Sequence, residues 1–505
     1  MQLGFVIDHS RCIGCHACTV ACKSENDVPL GDFRTWVKYV EEGEFPQVRR
    51  SFAVLRCNQC SNAPCVTICP VTALDKRADG IVDVDPDVCI GCKACMHGCP
   101  YDALYIDERH GTAEKCHFCA HRTERGLAPA CAVVCPTEAI VPGDFHDPQS
   151  RVSRMRAELE LSARKVEAGT GPNVFYRDVA EAGIQPGLTN GAGGYLWSDR
   201  TPGPQLDAQT FEALEKRARA RTTYDVPRKE LWGTKITGYL FTKAIAAGLF
   251  VVGYAALARA GRGPGLFLPL AALLFLAATG ALLIADLKRP ERFFTILTRP
   301  NWSSWLARGT FIIVAYSALL ALWVALALAG ASDGRGWQAL LALATVIGGF
   351  LTAAYTAWLF GQAKGRVLWM RRFGGVHLAV EAVVAGASVL LLLLPLLGWP
   401  GAAHPEPAGW LGFALIVHLA LTISAPAFAP AGREEEYARA VRLVDHGPYA
   451  PLHWGVGVGV GILLPLLVLT FANPLLVPAA GVLALVGLWV ECDVHVRAGQ
   501  ALPIS

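Results

Sequence analysis

The stretch RCIGCHACTVAC, residues 11–22, places four cysteines within eleven consecutive positions. The remaining cysteines are distributed in the same way, because sixteen of the 17 lie before residue 136 and only Cys492 lies beyond it. The sixteen fall into four quartets: Cys12, Cys15, Cys18 and Cys22; Cys57, Cys60, Cys65 and Cys69; Cys89, Cys92, Cys95 and Cys99; and Cys116, Cys119, Cys131 and Cys135.

The spacing within these quartets indicates iron–sulfur clusters. A CxxCxxCxxxC run lets three thiolates reach one iron–sulfur cube while the fourth turns to a neighbouring cube, and the first and third quartets have this run. Proline follows the last cysteine of three quartets, in CPVTAL (69–74), CPYDAL (99–104) and CPTEAI (135–140). The quartets therefore form an internal repeat.

Two other uses of cysteine fit the pattern less well. A disulfide framework is typical of a short secreted chain, whereas this chain shows no signal peptide in its opening MQLGFVIDHS. Zinc takes paired CxxC knuckles with four ligands per metal, which would leave the third cysteine of each CxxCxxC surplus. Cys492, alone in an apolar segment, is expected to be inert packing.

Composition divides the chain into two halves. Hydrophobic residues make up 53% of the chain and charged residues 17%, and the charged residues thin out after about residue 235. Eight apolar runs follow, each close to the length of about 20 residues that a helix needs to cross a bilayer. They lie near 237–259, 265–285, 309–330, 338–360, 377–398, 409–429, 454–472 and 476–496. Eight helices put both ends of the membrane part on one face.

The segment between the halves is rich in glycine and proline. It includes a predicted charged helix at 208–223, which suits a solvated linker and a segment docked on the bilayer surface equally well. We therefore predict a cysteine-rich domain over 1–145, a linker or docking segment over 146–230 and a membrane domain over 231–505.

Several stretches resemble known families. The first 145 residues resemble the four-cluster ferredoxin-like subunit of molybdopterin oxidoreductases of the dimethyl sulfoxide reductase family. DVPRKELWG (225–233), ADLKRPERFF (285–294) and VRAGQALPIS (496–505) resemble the membrane subunit of polysulfide reductase. The resemblance implies an α+β ferredoxin-like tandem domain followed by an all-α eight-helix transmembrane bundle. It also implies that the chain is a fusion of two subunits that usually occur as separate proteins.

The resemblance also implies which cysteines share a cluster, because the family exchanges the last cysteine between paired quartets. It implies four [4Fe–4S] clusters, with iron bound by all sixteen cysteines, and it places the cluster of the third quartet nearest the membrane. The four sets are group 1, Cys12, Cys15, Cys18 and Cys135; group 2, Cys22, Cys116, Cys119 and Cys131; group 3, Cys57, Cys60, Cys65 and Cys99; and group 4, Cys69, Cys89, Cys92 and Cys95.

A chain of clusters needs a redox partner in the membrane, and we expect quinone (menaquinone or ubiquinone) rather than haem. Bis-histidine haem needs two imidazoles at one depth, whereas His418 stands alone near the middle of its predicted span. Ionisable side chains in a membrane are costly and usually functional, and those of the spans lie in the half nearest the clusters. The candidates for a quinone site are Asp286, Lys243, His377, Glu381, Tyr239 and Arg292, and those for proton exchange are Glu491, Asp493 and His495.

Positive charge predicts the orientation. Thirteen lysines and arginines lie in the loops and tail on the face of the cysteine-rich domain, against three on the other face. By the positive-inside rule this domain faces the cytoplasm, so the chain is expected to be a multi-pass protein of the inner membrane. The thirteen are Lys288, Arg289, Arg292, Arg299, Arg308, Lys364, Arg366, Arg371, Arg372, Arg433, Arg439, Arg442 and Arg497.

These patterns predict an electron-transfer and membrane-anchor subunit of a quinone-linked oxidoreductase. A separate large molybdopterin subunit is the expected catalytic partner, lipid and quinone are the other partners, and no nucleic acid is expected. By analogy with the family, the substrate expected for the partner is sulfite, oxidised on the cytoplasmic side. The alternatives are a polysulfide or thiosulfate reductase, a hydrogenase anchor and, from another class, a redox-sensing membrane transporter or pump.

Overall fold

The computed structural model describes residues 1–190, 220–226, 231–259, 261–331, 336–393, 405–471, 473 and 476–505. The strands of the N-terminal part are β1 Leu3–Asp8, β2 Thr35–Glu42, β3 Arg49–Arg56, β4 Leu74–Lys76, β5 Val82–Val84, β6 Leu104–Asp107, β7 Thr112–Lys115, β8 Ile140–Asp144, β9 Val174–Arg177, β10 Thr189–Asn190 and β11 Ala220–Tyr224. Its helices are α1 Ala17–Glu25, α2 Pro64–Ile68, α3 Ala94–Gly98, α4 Ala120–Thr123, α5 Ala130–Val133, α6 Arg151–Glu158 and α7 Glu181–Ile184.

The strands form two small sheets and two hairpins. One sheet has the order β8-β1-β9, in which β1 is antiparallel to β8 and parallel to β9. The other has the order β10-β11-β2-β3, and β4-β5 and β6-β7 are hairpins. The α+β fold predicted for this part is confirmed. The predicted helix at 208–223 is wrong for residues 220–223, because they pair with β2 as strand β11; residues 208–219 lie outside the described part of the chain.

The internal repeat has a counterpart in the backbone. The third residue of each CxxC, namely Gly14, Gln59, Gly91 and Phe118, has a positive φ of 70°, 43°, 67° and 60°. The third residue after the last cysteine of the three CP segments, namely Thr72, Asp102 and Glu138, has a φ of 56°, 54° and 51°. Left-handed residues at matching positions turn the chain sharply, so each quartet curls around its own interior.

Eight helices follow that are long and apolar enough to cross a membrane, which confirms the predicted bundle. In chain order they are Thr234–Arg259, Phe267–Asp286, Trp305–Leu328, Gly336–Gln362, Gly374–Leu393, Glu406–Ile423, Pro451–Thr470 and Val477–Ala501, here called the first to the eighth span. The short helices Thr295–Thr298 and Glu434–Asp445 lie in the connections. The first span packs on the second, fourth, fifth and eighth, so it joins spans one to four to spans five to eight.

Glycine allows the closest contact between the two sets of spans. A Cβ on Gly248 would lie 1.6 Å from the carbonyl oxygen of Ala382, and one on Gly386 would lie 2.0 Å from the carbonyl carbon of Gly248. Small residues let membrane helices approach until their backbones touch. The first and fifth spans therefore cross at backbone contact.

The connections on one face of the bundle bind the iron–sulfur domain. Lys288 forms an ion pair with Glu108 (2.7 Å), and Ser304 Oγ donates to the Ile68 carbonyl (2.7 Å). The C-terminal tail inserts between the two parts, because Arg164 donates to the Ile504 carbonyl (3.1 Å) and Ser505 Oγ donates to Asp102 (3.0 Å). One buried core then runs without interruption from the cysteines of groups 3 and 4 into the bundle.

Candidate functional site

The fold brings together the thiols that the resemblance assigns to each group. Electrostatic contacts connect Cys12 to Cys15 and Cys135, Cys22 to Cys116, Cys119 and Cys131, Cys60 to Cys57, Cys65 and Cys99, and Cys95 to Cys69, Cys89 and Cys92. Eleven of the sixteen cysteines are buried, four are partly exposed and Cys15 is exposed. The donor set suits iron–sulfur clusters, and the assignment of one [4Fe–4S] cluster to each group remains a prediction.

Contacts between groups give the four groups an order. Cys18 of group 1 interacts with Cys131 of group 2, Cys57 of group 3 with Cys116 of group 2, and Cys95 of group 4 with Cys65 of group 3. The groups therefore follow one another as 1, 2, 3 and 4. Group 1 includes the exposed Cys15, and group 4 lies against the membrane bundle.

Burial and crowding make several of these thiols poor acids on their own. Burial, with the neighbouring thiols adding to it, raises the pKa of Cys18 to about 11 and that of Cys99 to about 12. Arg56 compensates part of this charge: it is fully buried and donates to Cys131 Sγ over 3.3 Å. Although burial lowers the pKa of Arg56, the thiolates of Cys131, Cys116 and Cys18 raise it overall. Iron would supply the remaining positive charge that packed thiolates require.

An apolar cavity of about 250 Å³ lies beside group 4, among the first four spans and the connection that follows the second. Cys92 of group 4 lines one end of it. Asp286 lies at the same end and forms an ion pair with Lys93, with its two oxygens 2.9 and 3.0 Å from Nζ. The lining residues Leu297 and Val314 are exposed at 43% and 49%, so the cavity reaches the surface that faces lipid.

Hydroxyl groups form a hydrogen-bonded chain on another wall of this cavity. The Tyr239 hydroxyl lies 2.5 Å from that of Tyr355 and 2.8 Å from Thr356 Oγ, and all three residues line the cavity. Behind them Lys243 Nζ donates to Thr356 Oγ and to the Ala353 carbonyl. Lys243 also lies within electrostatic range of Glu381 on the fifth span, in the other half of the bundle.

A second polar cluster joins the fifth, sixth and eighth spans. His377 Nε2 lies 3.0 Å from Glu381, His418 Nε2 lies 2.6 Å from Glu491, and the two imidazole rings are 4.8 Å apart. The prediction that His418 stands alone near the middle of its span is wrong. Its helix ends at Ile423, so His418 lies toward the end of the span. Its ring contacts His377 and Glu491, which belong to two other spans. The argument against haem, which used a solitary His418, loses that support.

The predicted site residues thus divide between two places. Tyr239 and Asp286 line the apolar cavity with Lys243 behind its wall, whereas His377, Glu381, Glu491 and His495 line a polar cavity of about 80 Å³ in the other half of the bundle. Two candidates have other contacts.

Arg292 donates to the carbonyls of Pro86 and Cys89, so it binds the iron–sulfur domain. Asp493 accepts from Thr237 and from Arg497, which ties neighbouring helices together. Sequence reasoning did not place Lys93 or Thr356 at the cavity. One feature of the sequence could have indicated that Lys93 lies near the cavity, namely its position directly after Cys92.

Comparisons with known proteins agree with this architecture. The family model described as a 4Fe-4S dicluster domain matches residues 48–145, and the model described as polysulphide reductase, NrfD, matches residues 223–502. A tetrathionate reductase subunit of Salmonella typhimurium is 44% identical over 39% of this chain and 80% of its own length. A polysulfide reductase polypeptide of Wolinella succinogenes is 40% identical over 36% of this chain and 98% of its own length.

A third relative, the arsenate respiratory reductase iron–sulfur subunit of a Shewanella species, is 37% identical over 35% of this chain and 96% of its own length. The NrfD match covers more than half of the chain and includes all eight membrane helices. The chain is therefore a multi-pass membrane protein of the polysulphide reductase NrfD family, preceded in the same polypeptide by an electron-transfer iron–sulfur domain.

Proposed function

We propose that this protein oxidises a quinol in the apolar cavity and passes its electrons through four [4Fe–4S] clusters to a separate molybdopterin reductase. The observation that carries the proposal is that Cys92, a member of group 4, also lines the cavity. The clusters would supply one-electron steps from the cavity to the exposed group 1. The proposed reaction converts one quinol into one quinone, two electrons and two protons.

The cavity suits a quinone in shape and in polarity. Its walls are aliphatic and aromatic side chains such as Leu283, Ile313 and Phe360, and exposed Val314 gives access from the lipid. Two sets of polar groups stand out: the Tyr239, Tyr355 and Thr356 hydroxyls, and Asp286 paired with Lys93 near Cys92. A ring with two oxygens on opposite edges can hydrogen-bond to both.

The polar cluster suits the exchange of the two protons with water. From the cavity, hydrogen bonds join Tyr239, Thr356 and Lys243, and Lys243 lies within electrostatic range of Glu381. His377, His418 and Glu491 continue this route to the polar cavity, which is also lined by Arg371, Asp445 and His453. Side chains that hold and release protons within hydrogen-bond reach are what such a transfer requires.

The relatives bear on the direction of electron flow. The three quoted above are named as parts of tetrathionate, polysulfide and arsenate reductases. A reductase partner receives electrons, so quinol oxidation is the direction that we infer. The expectation of sulfite oxidation finds no support in these names, and the polysulfide or thiosulfate reductase alternative is the one that we retain for the partner.

The transporter alternative is less well supported by the charges of the spans. In the described parts of the eight helices, the half remote from the iron–sulfur domain carries Arg259 and Glu406, which lie 3.9 Å apart at its surface. A transporter of the proposed kind would carry charges throughout its spans and polar half-helices near the middle of the bilayer.

We retain the cytoplasmic orientation of the iron–sulfur domain as a proposal, but fewer lysines and arginines now support it. Four of the thirteen cations that predicted it are used in binding the iron–sulfur domain, through contacts to Glu108, the His110 and Pro86 carbonyls, and His97. These four, Lys288, Arg289, Arg292 and Arg366, have a reason to lie on this face that is independent of membrane insertion. Arg372 is exposed beside the fifth span. Labelling an Arg372→Cys variant with a thiol reagent in intact cells would show on which side of the membrane this face lies.

Quinol-driven reduction of the clusters tests the proposed function. The purified protein, tagged at the exposed Met1, is mixed anaerobically with a menaquinol analogue while the cluster absorbance is followed. Tyr239→Phe removes the central hydroxyl, and Asp286→Asn breaks the pair with Lys93. We expect Asp286→Asn to react about tenfold more slowly or worse, because a buried hydrogen bond to a charged group contributes about 1.5–3 kcal/mol. Tyr239→Phe should react about two- to tenfold more slowly, because a neutral hydrogen bond contributes about 0.5–1.5 kcal/mol.

Tyr316→Phe is the matched control, since this buried tyrosine donates to the Ala246 carbonyl and does not line the cavity. Its rate should equal that of the wild type. If both cavity variants keep the wild-type rate with full cluster content, the quinol site lies elsewhere. Mass spectrometry of proteins that co-purify on the same tag tests the partner, and a preparation without a molybdopterin subunit would contradict that part.

A further inference from the structure

We propose that His377, Glu381, His418 and Glu491 form a binding site for one divalent transition-metal ion such as Zn²⁺. One ligand atom from each side chain lies within 4.8 Å of all the others. The four residues come from the fifth, sixth and eighth spans. Two imidazoles with two carboxylates form a donor set that binds zinc and its first-row neighbours. The inference rests on this geometry. Because the same side chains form the proposed proton route, a bound ion would block that route.

The distances are close to those of a tetrahedral site. Ligand atoms about 2.0–2.1 Å from zinc lie about 3.3 Å from each other. The His377–Glu381 and His418–Glu491 pairs, at 3.0 and 2.6 Å, would need to open by less than about 1 Å to reach that spacing, and the longest separation would need to shorten from 4.8 Å. Rotation of side chains is sufficient for changes of this size.

Unused hydrogen-bonding capacity lies within the cluster. His418 is 2% exposed and neither ring nitrogen has a hydrogen-bond partner among the described residues, although Nε2 lies 2.6 Å from a Glu491 oxygen. The Glu491 side chain is 10% exposed, and its Oε1 is likewise without a partner there. A buried polar atom without a partner is costly, and coordination would satisfy such atoms.

Charge favours a divalent ion over a monovalent one. Two ionised carboxylates in an apolar bundle need two positive charges nearby, because an uncompensated buried charge is strongly unfavourable. A divalent ion would supply both charges at once, whereas a monovalent ion would supply one. The polar cavity is also lined by the partly exposed Asp445 and His453, so it gives the ion access from the aqueous face.

The test uses the cluster-loaded protein and Zn²⁺ alone. The protein is incubated with zinc and desalted, and retained zinc is measured by mass spectrometry of the elements. We expect one retained ion per chain in the wild type and in His446→Gln, which changes an exposed histidine on the same face. We expect that ion to be lost in the double variant His377→Gln/His418→Gln. Equal zinc in the double variant and the wild type would overturn the proposal.

X-ray absorption at the zinc edge of the wild type gives a second measurement that does not depend on folding of a variant. The proposed site requires nitrogen and oxygen neighbours at about 2.0–2.1 Å. Sulfur neighbours at about 2.3 Å would mean that zinc had displaced iron at the cysteines, and this too would overturn the proposal.

Discussion

Single side chains adjust the charge around the cysteine groups, and Arg56 is the clearest case. It lies at the end of β3, fully buried, with its guanidinium 4.3 Å from the centre of the Phe5 ring and 3.3 Å from Cys131 Sγ. Net charge and hydrogen bonds to sulfur set the potential of an iron–sulfur cluster. A buried cation at this distance stabilises the reduced, more negative form.

Arg56→Gln should therefore lower the midpoint potential of the group 2 cluster, because it removes the cation and weakens the hydrogen bond to sulfur. Redox titration followed by electron paramagnetic resonance measures this shift. Arg50→Gln, which changes an arginine of the same strand that pairs with Glu41 at the surface, is the control and should leave the potential unchanged. A potential that is unaltered in Arg56→Gln would show that this arginine does not act on the cluster.

At the scale of elements, two membrane helices touch at positions where there is room only for glycine. The first and fifth spans meet at Gly248 and Gly386, and this contact sets the distance between Lys243 and Glu381 across the two halves of the bundle. Where backbones touch, even a methyl group must push the helices apart.

Gly386→Ala should destabilise the bundle by about 1–3 kcal/mol, the usual cost of overpacking. It should also slow quinol-driven cluster reduction by separating the two polar regions. Thermal unfolding in detergent measures the first effect. Gly361→Ala, at a span position with open space around it, is the control. Equal melting temperatures for the two variants would contradict the contact.

At the scale of the whole molecule, the tail after the eighth span connects the membrane part to the iron–sulfur domain. Ile504 is 2% exposed, its carbonyl accepts from Arg164, and the next residue hydrogen-bonds to Asp102. Arg164 and Ile504 are 340 residues apart in the sequence. The tail therefore holds the iron–sulfur domain against the membrane part.

Ile504→Asp should release this connection, because an unpaired charge at a buried apolar position is strongly unfavourable. We expect faster limited proteolysis between the two parts and slower quinol-driven reduction, with cluster content retained. Leu30→Asp, at a position that is 95% exposed, should change neither. A proteolysis pattern equal to that of the wild type would mean that the tail contributes little to docking.

The sequence by itself determined the cysteine quartets, the eight spans and the α+β and all-α character of the two parts, because spacing and hydropathy are local properties. It also supplied the candidate side chains of the membrane part. Tertiary structure alone decided their grouping: Asp286 pairs with Lys93, 193 residues away, and His418 meets Glu491 on another span. Which helices touch, and at what depth, depends on close packing of the whole bundle, so no single segment encodes the separation of the apolar cavity from the polar cluster.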